Sequence, residues 1–469
     1  MLTMKMKMIF SLCCLTLMAG YLPAQTTERS QPAVMDTQIQ HAVAAVSQER
    51  LQANDLALVN FGTRHTLGTT LPPEKRAGVV QAREWINAQL QQLAEQCHGC
   101  LEVKTSKSTE GPAARIPQPA ELVSVYAVQK GSSAEAAKRV ILICAHYDTI
   151  AMAQMNDPEA PAPGANDDGS GTSVVLEAAR VLSQQKFPAT IVYALFPGEE
   201  QGLFGSKAFA QTVVSAWKLE AVLSNDIVGG DNTRDQQGMV RVFSEGIPAR
   251  LLPDGQISGD TYKELRRLRL LGAESDSPSR QLARFIASEV PRYLPSSSVQ
   301  PKLIFRQDRF LRGGDHTSFN EQGFAAVRLT EYAENYDHQH QLPRLENGIE
   351  YGDLQRFVNF EYLAGVTRLN VAAVALLASA PAPPADVKLR TKELVNTSTL
   401  HWAASPDGLA TGYEVLCRDT TAPLWEKVIP AGAQFEITVR YSKDNVVFAV
   451  RAYDAVGHRS LPVYPTPER

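Results

Sequence analysis

The sequence predicts an α/β protein: a three-layer α/β/α sandwich around a mostly parallel, mixed central sheet, followed by a small C-terminal β-sandwich. Three observations carry that expectation. Between residues 140 and 224, apolar runs of strand length alternate with helical segments, as in a sheet covered by helices on both faces. A long apolar pattern repeating every three or four positions over 358–378 suits a helix lying on that sheet. Beyond Pro381-Ala382-Pro383-Pro384 the pattern changes to short alternating strands at regular spacing.

The elements follow in order. Residues 33–55 are polar and helical in pattern, and 84–96 form an amphipathic helix with Trp85, Ile86, Leu90 and Leu93 on one side. Residues 101–105 and 122–129 alternate as strands do, and Gly131-Ser132-Ser133 makes a turn. Buried strands are expected at 140–145, 190–196 and 221–224, with helices at 172–182 and 207–216. A helix at 279–290 and strands at 302–305 and 325–329 precede the long helix. The tail strands are expected at 387–389, 399–402, 413–416, 436–439 and 446–453. A chain of 469 residues with 44% hydrophobic content is long enough for more than one domain and a large core.

A net charge of −4, with no basic stripe, argues against nucleic acid as a partner. The N-terminus reads as a targeting segment. Lys5 and Lys7 precede an apolar stretch from Met8 to Leu22, and Ala24 offers a small residue for cleavage. The stretch is short for a membrane span, so an exported chain is expected, periplasmic or extracellular, with a tethered N-terminus as the competing reading. Cys13 and Cys14 lie inside the apolar run, which disfavours a lipoprotein. Cys97-His98-Gly99-Cys100 reads as a small disulfide loop in an oxidising compartment; a structural zinc lacks two further ligands nearby, and the pair does not open a helix as a redox pair would. Cys144 reads as an inert core thiol.

Five groups of metal-binding residue types occur: His146 with Asp148, Asp167 in Gly164-Ala165-Asn166-Asp167-Asp168-Gly169-Ser170-Gly171, Glu199-Glu200, Asp226, and the His338-Gln339-His340 turn. Three of them follow apolar strands, at the carboxyl ends where α/β sheets bind ligands. Zinc takes imidazole nitrogen and carboxylate oxygen, and two zincs share a carboxylate. Asp167, on a glycine-rich turn, is the bridging candidate, although an Asp-Asp-Gly-Ser-Gly loop is also ordinary helix-start chemistry. His146 is read as a ligand and Asp148 as the carboxylate that orients it. Of the adjacent acids Glu199 and Glu200, one can bind metal while the other serves as general base; the competing reading is a solvated charge pair. Asp226 alone is ordinary turn material, and His316, His338 and His340 compete for the last ligand.

The ordered set His-x-Asp, Asn-Asp-Asp-Gly-Ser-Gly, Pro-Gly-Glu-Glu-Gln-Gly-Leu-Phe-Gly-Ser, strand-end Asp, Asp-His and late His resembles the co-catalytic di-zinc aminopeptidase family over about residues 120–378. Bacterial leucyl aminopeptidase, glutamate carboxypeptidase and glutaminyl cyclase are its relatives. The resemblance implies that His146, Asp226 and bridging Asp167 hold one zinc, and that Glu200, the late His and Asp167 hold the other. It also implies Glu199 as base and Asp148 as the orienting carboxylate. Its spacing favours His340, with His338 still in play, and places Asp315-His316 as a wall of the site. The tail, with Trp402, the Tyr413 strand and the Tyr441 to Tyr453 segment, resembles a fibronectin type III domain, so the expected organisation is a signal peptide at 1–24, a zinc peptidase domain at 25–380, a proline-rich linker at 381–386 and a fibronectin type III-like tail at 387–469. The expected substrate is a peptide with a free N-terminus, and no membrane span remains after signal cleavage. Arg309, Arg312 and Arg328 keep a carboxypeptidase open, because such an enzyme needs a cation for the substrate's carboxylate. An inactive binding or adhesion protein is a further alternative. Arg64-His65-Thr66 resembles a family segment near the site and is read as structural.

Overall fold

The computed structural model describes residues 35–75, 78–251 and 258–468. The expected targeting segment, residues 1–24, lies outside the described residues.

Two helices, α1 (Thr37–Ala44) and α2 (Gln48–Asn60), precede α3 (Val79–Gln96), and each of the first two begins on a side-chain cap, Asp36 and Ser47. Strands β1 (Leu101–Glu110), β2 (Ala120–Gln129) and β3 (Arg139–His146) follow, then α4 (Gly171–Leu182) and β4 (Thr190–Phe196). After the one-turn α5 (Glu199–Gly202) come α6 (Phe204–Thr212), β5 (Lys218–Asn225), β6 (Met239–Ser244), α7 (Gly259–Leu271) and α8 (Pro278–Glu289). The α/β part closes with β7 (Gln300–Ile304), α9 (Asp315–Glu321), β8 (Ala326–Glu331), the hairpin β9 (Arg344–Glu346) and β10 (Ile349–Tyr351), and α10 (Phe360–Ser379).

Eight strands form one mixed sheet in the order β1-β2-β4-β3-β5-β8-β6-β7. The centre, β4-β3-β5-β8, is parallel, and antiparallel pairs flank it on both sides. Alternate residues of β3 separate to the two faces, as the period of a strand requires. Ile141, Ile143 and Ala145 join the larger core with α4 and α10, whereas Val140, Leu142 and Cys144 pack with Phe209 of α6 and Phe319 of α9. This is the expected three-layer arrangement. Helix α10 is long and apolar enough to cross a membrane, but it is almost wholly buried as a core helix.

The tail forms two facing sheets: β11 (Ala385–Arg390), β12 (Ser398–Ala403), β15 (Glu436–Val439) and β17 (Thr466–Glu468) in one, β13 (Gly412–Asp419), β14 (Lys427–Gly432) and β16 (Val446–Tyr453) in the other. Trp402, Tyr413, Val415 and Val450 fill the space between them. The tail packs on the α/β part through buried ion pairs. Arg139, at the start of β3, meets Glu220 at 2.6 Å and Asp407 at 3.0 Å. Asp276 receives Arg284 at 3.2 Å and Arg418 at 2.7 Å, and Glu289 meets Arg451 at 2.7 Å.

The expected strands and helices are present with ends shifted by a few residues, and several further elements, the one-turn α5 among them, were not expected from sequence. Helix α7 has no buried residue and therefore shows no core stripe. Helix α9 is seven residues long, and strand β14 carries Pro430 on the edge of its sheet. Strands β6, β9 with β10, and β17 are short. Cys97 and Cys100 are joined in a disulfide, and Cys144 is a buried free thiol.

Candidate metal centre

His146 is the last residue of β3, and Asp226 follows the last residue of β5. Glu199 and Glu200 open α5 just beyond β4, between Gly198 and Leu203, both in the left-handed region. Three neighbouring strands therefore deliver four side chains to one end of the sheet.

Asp167 comes from the loop between β3 and α4. Gly164 turns that loop in the left-handed region, where an added Cβ would lie 2.1 Å from Thr149. The fully buried Arg64 clamps the loop by donating to the carbonyls of Pro163 at 2.7 Å and Gly164 at 2.8 Å, and to that of Tyr147 at 2.8 Å. The Asp353 carboxylate accepts from the backbone N–H groups of Asn166 at 2.8 Å and Asp167 at 2.7 Å. Gly171 is held to glycine by space, since a Cβ would sit 2.5 Å from Asp168 and 2.4 Å from the Asn225 carbonyl.

The outcome is two clusters around one carboxylate. Oδ1 of Asp167 lies 3.2 Å from Nε2 of His146, and Oδ2 lies 2.8 Å from Nε2 of His340. His146, Glu199 and Asp226 can place ligand atoms within 4.8 Å of one another, as can Asp167, Glu200 and His340. Nε2 of His146, Nε2 of His340 and Oε1 of Glu200 are buried and make no well-directed hydrogen bond among the described residues, although they lie close to one another and to Asp167. Buried polar atoms are seldom left this way, and metal coordination would satisfy all three. The donor set of imidazoles and carboxylates fits zinc.

Electrostatics agree with a shortage of cations. Burial pushes the Glu199 carboxyl well above its ordinary pKa, with Asp226, Glu200 and Asp315 adding to the effect. Burial likewise raises Glu200. Burial raises Asp315 to about 7. Burial works against a charged imidazole at His146 and at His340, yet the surrounding carboxylates, Asp168 first for His146 and Glu200 first for His340, hold both well above the ordinary value. Asp226 is kept below its ordinary value, against burial, by Arg328 at 2.9 Å.

Asp148 does more than the sequence indicated. Its Oδ1 lies 3.4 Å from Nδ1 of His146, consistent with the expected orienting contact. The same carboxylate accepts from the backbone N–H groups of Glu199 and Glu200, each at 3.3 Å, and from the Thr66 hydroxyl at 3.1 Å. It thus sets the ring of one cluster and the backbone of the adjacent acids together.

Among the competing histidines, His340 enters the cluster. Nδ1 of His338 instead pairs closely with Asp231, and its ring stacks on Phe357 at 3.6 Å. His316 turns to the Gln307 carbonyl at 2.9 Å, while its neighbour Asp315 shares the electrostatics of the cluster. The three arginines kept open for a substrate carboxylate are engaged elsewhere. Arg328 is buried between Asp226 and Asp308, and Arg309 and Arg312 pair with Glu334 at 2.9 and 3.5 Å. Asp353 had no local signal in the sequence. Arg64 has the structural role expected of its segment, though its place behind the Asp167 loop was not foreseen.

Residues 124–251 match peptidase family M28. A probable zinc metalloprotease of Pyrenophora tritici-repentis is 38% identical over 453 residues, covering 96% of this chain and 91% of that protein. Another, from Leptosphaeria maculans, is 39% identical over 436 residues, covering 92% of this chain and 97% of that protein. Among solved structures, the LapA aminopeptidase of Legionella pneumophila has a similar fold, with a TM-score of 0.50 at 20% identity over 80% of each chain. A fold that gathers histidines and acids at the carboxyl ends of its strands, and relatives that align along nearly its whole length, lead to one conclusion: the chain belongs to peptidase family M28 and is a zinc metallopeptidase.

Proposed function

We propose that this metallopeptidase is an exported aminopeptidase that works with two zinc ions. His146, Asp226 and Asp167 would hold one ion, and Glu200, His340 and Asp167 the other. The observation that carries this reading is the Asp167 carboxylate, whose two oxygens face different histidines at 3.2 and 2.8 Å. Bound there, zinc supplies Lewis acidity that polarises a carbonyl and makes water a better nucleophile. Glu199 is the base: buried beside the cluster and pushed well above its ordinary pKa by that burial, it accepts a proton from the attacking water and passes it to the leaving amine. Asp148 holds the His146 ring and the Glu199 amide in register during that exchange. The excess of carboxylates facing the site suits a substrate whose scissile bond adjoins a positive amine. The basic start, apolar stretch and Ala24 of the first residues support export, as does the Cys97–Cys100 pairing. With Arg309, Arg312 and Arg328 tied into ion pairs, the carboxypeptidase reading loses the cations it relied on.

The test is Glu199→Ala. Turnover of aminoacyl-anilides is expected to fall about 10²–10⁴-fold, with metal content by elemental analysis still near two zinc ions per chain. Near-normal turnover would remove Glu199 from its role, and one zinc per chain in the wild type would remove the bridge.

A further inference from the structure

We propose that Arg115 determines specificity by binding a free carboxylate on the leaving side of the scissile bond, so that dipeptides and peptides with an acidic second residue are favoured. The proposal rests on the aminopeptidase reading for which end of the substrate is free.

Arg115 sits in the connection between β1 and β2. Ala113 and Ile116 exchange backbone hydrogen bonds at 2.6 and 3.0 Å, so Ala114 and Arg115 form the tip of a tight turn. Ile116 is fully buried and packs with Leu67, Ala120 and Phe204. Phe204 begins the helix that follows the Glu199-Glu200 turn, so the tip is fastened to the segment that carries both acids. From there Arg115 donates to the backbone carbonyl of Glu200 at 2.8 Å.

The other arginines around the centre are engaged: Arg64 and Arg328 are buried, Arg309 is half-buried, and the exposed Arg312 pairs with Glu334 at 3.5 Å. Arg64 holds backbone carbonyls, Arg328 lies between two aspartates, and Arg309 pairs with Asp308 and Glu334. Arg115 is exposed, forms no ion pair among the described residues, and uses one of its five N–H groups on Glu200. Its guanidinium is therefore a solvent-facing fork beside the acids of the site, with the geometry that suits a carboxylate. In a dipeptide the terminal carboxylate stands about one residue, roughly 3.5 Å, past the scissile bond. A cation anchored on the backbone of Glu200 stands next to a proposed metal ligand and opens to solvent, whereas Arg328 is buried between Asp226 and Asp308.

The experiment compares kcat/KM for Leu-Gly, Leu-Gly amide and Leu-Glu amide in the wild type, Arg115→Gln and Arg115→Lys. The wild type is expected to prefer Leu-Gly over its amide by about tenfold or more, the effect of one charge-assisted hydrogen bond. Arg115→Gln should bring that ratio close to one, mainly through KM, and Arg115→Lys should restore part of it. A preference for Leu-Glu amide over Leu-Gly amide that Arg115→Gln abolishes assigns the site to side-chain carboxylates as well. A free-acid to amide ratio that is the same in wild type and Arg115→Gln overturns the proposal. So does an equal loss on all three peptides, because Arg115 would then act only by supporting Glu200. Cleavage of Leu-Gly amide by the wild type tests the aminopeptidase reading separately. Should only acyl-blocked Leu-Gly be cut, that reading fails, and the Arg115 ratio is measured on the blocked peptide and its amide.

Discussion

The metal centre and the junction with the C-terminal sheets both bury many charges, but they treat them in opposite ways. At the junction carboxylates face guanidinium groups: Asp276 accepts Arg284 and Arg418, and Glu289 accepts Arg451. Arg284 and Arg418 also lie over the Trp425 ring. At the centre, carboxylates crowd one another with only two imidazoles between them, and burial with its acidic neighbours pushes Glu199 well above its ordinary value. Buried charge is costly unless it is matched, so the matched set holds two parts of a chain together. The unmatched set is evidence for something that arrives from outside the chain.

That contrast can be broken from the junction side with the largest effect. Asp276→Ala leaves Arg284 and Arg418 facing each other without their acid and should cost about 3–5 kcal/mol of unfolding free energy in denaturant titration. Metal content and kcat of the folded fraction should stay near wild type. A variant with intact stability would show that the junction charges are solvated in solution and that the comparison is misplaced.

From the other side, Asp148→Asn should lower metal affinity or turnover about 10–100-fold, the usual cost of losing a partner of a ligating histidine. Its effect on unfolding of the metal-free protein should be much smaller than that of Asp276→Ala. Equal damage to stability and activity would mean that Asp148 serves the fold first.

The smallest effect tests a single contact. His458 joins Asp454 at 2.8 Å and Asp36 at 2.9 Å, tying a loop of the tail to the cap of α1. Burial opposes its charge, but Asp454 and Asp36 raise its pKa above the ordinary value. A folded pKa above the unfolded one contributes stability that is complete below the unfolded value, about 6.5, and is lost as pH rises through the folded value. The stability difference between the wild type and His458→Gln should therefore be largest near pH 6, of the order of 0.2–1 kcal/mol, and should vanish at higher alkaline pH. A difference that grows with pH would reverse the assignment.

Much of this was legible in the chain itself, for a physical reason. Strands β3 and β4 are buried on both faces, and their sequences are nearly continuous apolar runs, so the chain marks where they end. His146 and the Glu199-Glu200 pair stand just there. What was not legible depends on contacts between distant residues. His338 and His340 look alike in sequence; Asp231, 107 positions before His338, takes that ring, and a positive φ of 55° at His340 accompanies the turn toward Asp167. Asp353 is silent until the fold brings it 186 positions back to the Asp167 amide. Arg328 stayed open for a substrate carboxylate because no nearby residue in the sequence marks its partners, and only packing reveals its two aspartates.

Strand β3 has eight residues, with Arg139 at one end and His146 at the other. Arg139 is grasped by Asp407 and by the carbonyls of Leu377 and Ala380, so the tail grips the foot of the same rod whose head carries an imidazole. The C-terminal sheets are therefore no detachable ornament. A shortened gene that stopped at the prolines would take Asp407 from that guanidinium and would strip Asp276 and Glu289 of Arg418 and Arg451, so whoever purified that fragment would be handling a wounded molecule.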